Sequence, residues 1–481
     1  MSLSSAFSNA LSGLTVTSRR AEIVSSNIAN ASTEGYSRRE AVLSALTLGN
    51  GYGSGVTISG ITRSVNASVV ADRRLSDASV AGYTAQTETL SRVESLIGTA
   101  DSETTLASQI SAFEAALVTA SSDPTSEVRL DAAVGKLKSV ADTLNQQSEG
   151  IQALRQEADA DIADQVAWLN DALSQVQQLN ADITSADQSG LETVALLDQR
   201  QQIVDQISSV VPVREIARDN GQIALISSGG AVLLDGKAYE LSFEAANTVT
   251  ADMTVEAGGL SGLSLNGTAL DLNNFRLDGG SLGAAFALRD GTLVEMQSGL
   301  DEIAADLITR FEASGVDPSL GSGAAGLLTD AGQPLDLADL PGLAGRIAVN
   351  AAVDSDQGGA SWHLRDGLGA VTQTSSGDSG QIDRWIDALS AQQTLVSGGT
   401  SRTAVEHASA YAASVSSTRV ASEDDLSFAT ARWQTLKEAE LATGVDTDAE
   451  LQTLLVIEQA YSANARVMQG IEDMMQTLLE I

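Results

Sequence analysis

The stretch LSSAFSNALSGLTVTSRRAEIVSSNIANA, residues 3–31, decides how the rest of the chain is read. Leu3, Phe7, Ala10, Leu14, Ala21, Val24, Ile28 and Ala31 fall on alternating four- and three-residue steps, broken only by Thr17. That spacing is a coiled-coil seam, narrower than the stripe of a helix lying on a large core. Asn30, Ser32 and Gly35 then supply the residues that stop a helix and form a turn.

A narrow seam needs a partner, and residues 454–478 offer one. Leu454, Ile457, Tyr461, Asn464, Met468, Ile471, Met475 and Leu478 repeat the spacing, polar only at Asn464, which is expected to fix register. Thr447 and Glu450 are expected to form a capping box at the start of that helix. The two stripes can bury each other or the same stripes on neighbouring copies. Alone they bury too little to offset chain entropy, so both ends are expected to be mobile in the monomer and to order on assembly.

Composition narrows the function classes. Lys plus Arg is 27 against 63 Asp plus Glu, a net charge of −36, which argues against nucleic acid and anionic membranes as partners. Residues 1–74 run the other way: seven Arg (19, 20, 38, 39, 63, 73, 74) against four acids, or +3. A mildly basic end on an acidic body is expected to help like subunits pack head to tail. Cysteine is absent, so disulfides and thiolate metal sites are excluded. With no cleavable signal pattern and no apolar run near the roughly 18 residues of a membrane span, composition alone is that of a soluble, cytoplasmic chain.

Along the chain, the fold class expected is multidomain α plus β: a long helical coiled-coil stalk formed by both termini, with an inserted antiparallel β domain. Residues 1–62 with 445–481 make the terminal assembly region and arm. Residues 63–210 with 281–314 and 381–444 make a helical rod domain, and 211–280 with 315–380 the β domain. Residues 64–120 read as helical up to Pro124, and Thr125 as the next cap. From there to about Asp187 a seam runs through Leu137, Val140, Leu144, Gln147, Ile151, Leu154 and Ala158. It then slips to Ile162, Val166, Leu169, Leu173, Val176 and Ile183. The slip is a stutter, which relaxes the supercoil. Short strands follow Val211, with turns at Asp219-Asn220-Gly221, Asp235-Gly236 and Asn266-Gly267.

These stretches carry a resemblance. Ser26-Asn27-Ile28-Ala29-Asn30-Ala31 resembles the N-terminal signature of the rod, hook and hook-associated proteins of the bacterial flagellum. Gly35-Tyr36-Ser37-Arg38 is similar to its continuation in the hook-associated branch, although Glu34 stands where that family usually has proline. Gly53-x-Gly55-Val56 through Arg63, Asp123-Pro124, Leu196-Leu197-Asp198-x-Arg200 and Gly279-Gly280-Ser281-Leu282 also look like the family. So do Glu458-x-Ala460-Tyr461-x-Ala463-x-Ala465-Arg466-Val467 and Leu478-Leu479.

The resemblance implies a structural subunit at the hook–filament junction, assembled through its terminal helices after type III export, with no cofactor. Its implied partners are further copies in a ring, the hook protein, a second hook-associated junction protein, and an export chaperone at the C-terminal helix. Nucleic acid and membrane are not among them. The residues expected to carry assembly are Leu3, Phe7, Leu14, Val24, Asn27, Ile28, Ala29, Asn30, Gly35, Tyr36, Ser37, Arg38, Leu454, Ile457, Tyr461, Met468, Ile471, Met475 and Leu478. The alternatives are another axial protein, hook protein or flagellin, or an extended coiled-coil scaffold.

Three patterns invite other chemistry. Gly279-x-Ser281-x-Gly283 matches a nucleophile elbow, preceded by strand-like Asn274-Phe275-Arg276-Leu277. A hydrolase would then need His363 or His407, the only two histidines. The alternating β–α pattern that builds an elbow is missing, so Ser281 is expected to be a helix cap. The glycine cluster 49–55 lacks the Gly-Lys-Ser/Thr ending of a phosphate loop. Asp354-Ser-Asp356 begins like a calcium loop but meets Arg365 where a glutamate is needed. Asp198 and Arg200 are expected to lie on a solvated face.

Overall fold

The computed structural model describes residues 3–33, 35–47, 53–99, 102–271, 274–374 and 377–479. Glu34 and residues 48–52, which take in the first part of the glycine cluster 49–55, lie outside them. Helix α1 (Leu3–Ala29) leads into an antiparallel hairpin of β1 (Arg38–Thr47) and β2 (Gly53–Ser64), with Arg38 opposite Ser64. This arm folds back along α1, where the Val56 amide donates to Ser12 Oγ at 3.2 Å. Helix α1 therefore buries Val16 and Ile23 besides its seam.

The helical region follows as α2 (Ala67–Ile97), α3 (Leu106–Ser121), α4 (Glu127–Gln188) and α5 (Val194–Val210). The segment 64–120 is thus two helices. Gly98, at φ +87, ends α2, its amide donating to Glu94 O, and Thr105 caps α3. Ser126, not Thr125, occupies the cap position of α4, and Thr125 Oγ1 donates to Asp123 Oδ1. Every residue of the α4 seam is buried on both sides of the stutter. At 62 residues the helix is about 90 Å long.

Four strands, β3 (Val213–Ala217), β4 (Ile223–Ser227), β5 (Val232–Asp235) and β6 (Lys237–Ala238), form one sheet in that order. A smaller one joins β7 (Leu241–Ser242), β8 (Ser264–Leu265) and β9 (Thr268–Ala269). Asn220 and Gly221, and Asn266 and Gly267, all take the positive φ of tight hairpin turns. Helix α6 (Gly280–Ala287) passes through a π-turn, Leu288–Thr292, into α7 (Leu293–Glu312). Then come β10 (Leu328–Asp330) with β11 (Ile347–Val349), α8 (His363–Asp366) and α9 (Gly380–Ser390). A second hairpin of β12 (Gln393–Leu395) and β13 (Gly398–Arg402) interrupts what reads as continuous helix before α10 (Ala404–Leu441) and α11 (Thr447–Leu479). A true capping box, Thr403 with Glu406, starts α10.

Buried side chains sort into two cores that share α4. The first gathers α3, α4 up to Leu154, α7 and α9 around Phe113, Phe311 and Trp385. The second joins α4 from Ile162, α5, α6 and strands β3 to β5. Residues 315–380, expected to return to the β region, lie instead on the first core: Leu328, Leu343, Ile347 and Leu364 are buried there. The stutter marks the handover. Beside it Arg289, on the π-turn, donates to Asp159 at 2.6 Å, with neither side chain exposed. Arg155 donates to the carbonyls of Thr250 and Met253, fastening the loop between β7 and β8 to α4. Among the described residues no helix is long and apolar enough to cross a membrane.

Candidate assembly site

Helices α1 and α11 run antiparallel. Asn27 meets Glu450 at one end, and a Cβ on Gly13 would lie 2.7 Å from Asn464 Nδ2 further along. The spacing is fourteen residues on each helix, so the register holds between those points. Val24 and Ala10 on α1, and Ile457 and Ile471 on α11, are buried. Leu3, Phe7, Leu14, Ile28, Leu454 and Met468 are half-buried, and Ala29 is exposed. Tyr461, Met475 and Leu478, expected on the seam, stay 44%, 47% and 61% exposed. The register sets Leu3 opposite Met474.

Where α1 ends, the signature residues form a polar lock. Asn27 is 1% exposed. Its Nδ2 donates to Arg39 O at 3.0 Å and to Glu450 Oε2 at 3.2 Å. Its Oδ1 accepts from the Arg39 amide at 3.0 Å and from Tyr36 Oη at 2.9 Å. One amide thus uses its full capacity to join α1, the turn, the arm and α11. Asn30 Nδ2 donates back to Ser26 O and closes the helix end. Gly35 has φ +75, a backbone conformation that calls for glycine, and it lies against the exposed side chain of Gln202 on α5. The Arg39 guanidinium lies 4.8 Å over the Tyr36 ring. Ser37 accepts from Arg63 Nη2 at 2.8 Å.

Arg38 Nε donates to Glu450 Oε1 at 2.6 Å, and that bond raises the guanidinium pKa. Glu450 is therefore no capping residue. Asp446 caps α11, accepting from the amides of Asp448 and Ala449. Asp198 and Arg200 are likewise buried rather than solvated. Asp198 pairs with Arg39 at 3.3 Å and Arg63 at 2.8 Å. Burial pulls the Arg63 pKa down against the pull of Asp198. Arg200 donates to Asn180 Oδ1 and Gly221 O, fixing the β3–β4 turn on α4. Among the described residues, six of the seven N-terminal arginines pair within the chain and Arg20 alone does not. The head-to-tail charge match expected of that end is spent internally.

The elbow pattern is a packing device. No strand precedes it among the described residues. Gly279 holds the cap position without a side-chain bond, and Ser281, inside the helix, donates to Gln165 Oε1 at 2.7 Å. Gly280 has φ +66 and lies against Val210 O, and a Cβ on Gly82 would come 3.0 Å from Gly280 O. His363 and His407 bond to the carbonyls of Gly367 and Gln393. Asp354 and Asp356 pair with Lys138. Among the described residues no group of three or more His, Cys, Asp or Glu could hold a metal ion.

Three family models match. Residues 7–36 match the flagella basal body rod protein model and 441–481 the flagellar basal body rod FlgEFG protein C-terminal model, so the lock joins one to the other. Residues 90–320 match the flagellar hook-associated protein FlgK helical domain. Flagellar hook-associated protein 1 of Bacillus subtilis is 28% identical over 59% of this chain and 62% of its own. That of Salmonella typhimurium is 25% identical over 65% of this chain and 56% of its own. At both ends and through its helical middle, the chain is similar to flagellar hook-associated protein 1. It spans about three fifths of the length of these relatives. The solved flagellar hook junction protein FlgK from Burkholderia pseudomallei overlaps at a TM-score of 0.45 and 22% identity, over 55% of this chain and 46% of that one. The family is a structural one of the flagellum.

Proposed function

We propose that this chain is a structural, non-catalytic subunit joining hook to filament, assembled outside the cell through α1 and α11 after type III export. Residues 1–62 with 445–481 are its assembly region. The observation that carries the reading is the uncovered flank of α11. Leu451, Leu455, Val456 and Val467 are exposed beside the face that meets α1, an apolar surface a monomer has no use for. Its partners are further copies, the hook protein and a second junction protein, with an export chaperone covering α11 beforehand. A deletion strain tests this. Intact hooks with filament protein escaping into the medium support the junction role, whereas hookless cells point to a hook or rod component.

A further inference from the structure

The terminal unit of α1, arm and α11 shares no core with the rest of the molecule. Among the described residues, none of these elements contributes to either buried cluster. Across the boundary the described residues place charges and amides: Arg19 with Glu192, Arg39 and Arg63 with Asp198, and Arg63 with Gln201. Cavities of about 480 and 620 Å³ run along the same boundary, lined from both sides by Gly35, Gln201 and Glu440 among others. The covalent links are two short segments, residues 65–66 and 442–446. Apolar burial would hold two bodies together in any salt. A polar boundary has little apolar area to lose and depends on its charge pairs.

We propose that the terminal unit is docked on the body by a charge latch centred on Asp198, and swings as a unit when that carboxylate is neutralised. Asp198 sits at the start of α5, which is anchored by Val204 and Ile207 in the second core, while Arg39 and Arg63 stand opposite each other on β1 and β2. One carboxylate on the rigid side therefore holds both strands of the arm. Its loss leaves two partly buried guanidinium groups facing each other, which drives the surfaces apart. This inference goes beyond the junction reading and stands without it.

The cysteine-free chain allows site-specific spin labels at Ser8→Cys on α1 and Ser185→Cys on α4. In the wild-type background the distance distribution is narrow. In Asp198→Asn it broadens about twofold or more, while Arg92→Gln, which breaks the exposed Arg92–Glu157 pair, leaves it narrow. Should Asp198→Asn reduce helix content, the double variant Arg39→Gln, Arg63→Gln removes the latch from the arm side without touching either core. Broadening there with unchanged melting of the body supports the latch. A distribution as narrow as wild type in the folded Asp198 variant, or in the arginine pair, overturns it.

Discussion

Glu450 and Arg38 are separated by 412 residues and meet at 2.6 Å, with Glu450 only 1% exposed. Near-complete burial makes the two halves of the pair unequal as targets. Arg38→Gln strands a charged carboxylate, a change that costs about 3–5 kcal/mol in a buried pair. Glu450→Gln removes the charge and keeps one acceptor oxygen, for Arg38 or for Asn27 but not for both, and costs about 1–2 kcal/mol. Amide exchange in the first turns of α11 measures both. Equal losses in the two variants would show that the pair is not the buried lock described above.

Gly280 rather than Ser281 is the sensitive residue of the Gly-Gly-Ser-Leu-Gly run. Gly280→Ala forces a Cβ into Val210 O at a positive φ and is expected to cost about 2 kcal/mol or more. Ser281→Ala loses one hydrogen bond to Gln165, about 1 kcal/mol. Urea denaturation of the two variants gives the order, and the reverse order contradicts the packing role.

Acid should weaken the corner where α8 meets the Asp123-Pro124 turn. Arg365 donates to Pro124 O and pairs with Asp366, whose carboxyl is pulled down to about 2, chiefly by that Arg365 bond. A depressed carboxyl pKa contributes stability above its unfolded value, near 4, that is lost as pH falls toward 2. Asp366→Asn should flatten that limb of the stability–pH curve. An unchanged acid limb would remove Asp366 from the account.

The terminal helices should open before the rest. Helix α11 buries only Glu450, Ile457 and Ile471, whereas the α4 seam is buried throughout. Protection factors in α1 and α11 of the monomer are expected to fall well below those of α4 and to rise on assembly. Protection in α1 matching that of α4 in isolated protein would contradict this.

What the sequence made legible follows from periodicity. The α4 seam, its stutter and the Asn-Gly turns all depend on residues close together in the chain, and each stands as a local pattern. Charge partners leave no such trace. Glu450, four residues past the Asp446 cap, looks like an ordinary capping glutamate until Arg38 comes alongside. Asp198 and Arg200 look solvated until the arm and the β3–β4 turn cover them. Val16 and Ile23 fall off the seam, and only the folded-back arm shows why they are apolar. The hairpin between α9 and α10 escaped because Gln393–Leu395 is too short to show alternation. Residues 315–380 carry few regular elements, so nothing local reveals which core they join.

Helix α4 is the common floor of two rooms. Removing the walls of either bares the same continuous surface, leaving apolar seam residues with no neighbour on one half. The body is therefore expected to melt as a single event despite having two separate interiors, and a cut anywhere along that shared floor would bring both down together.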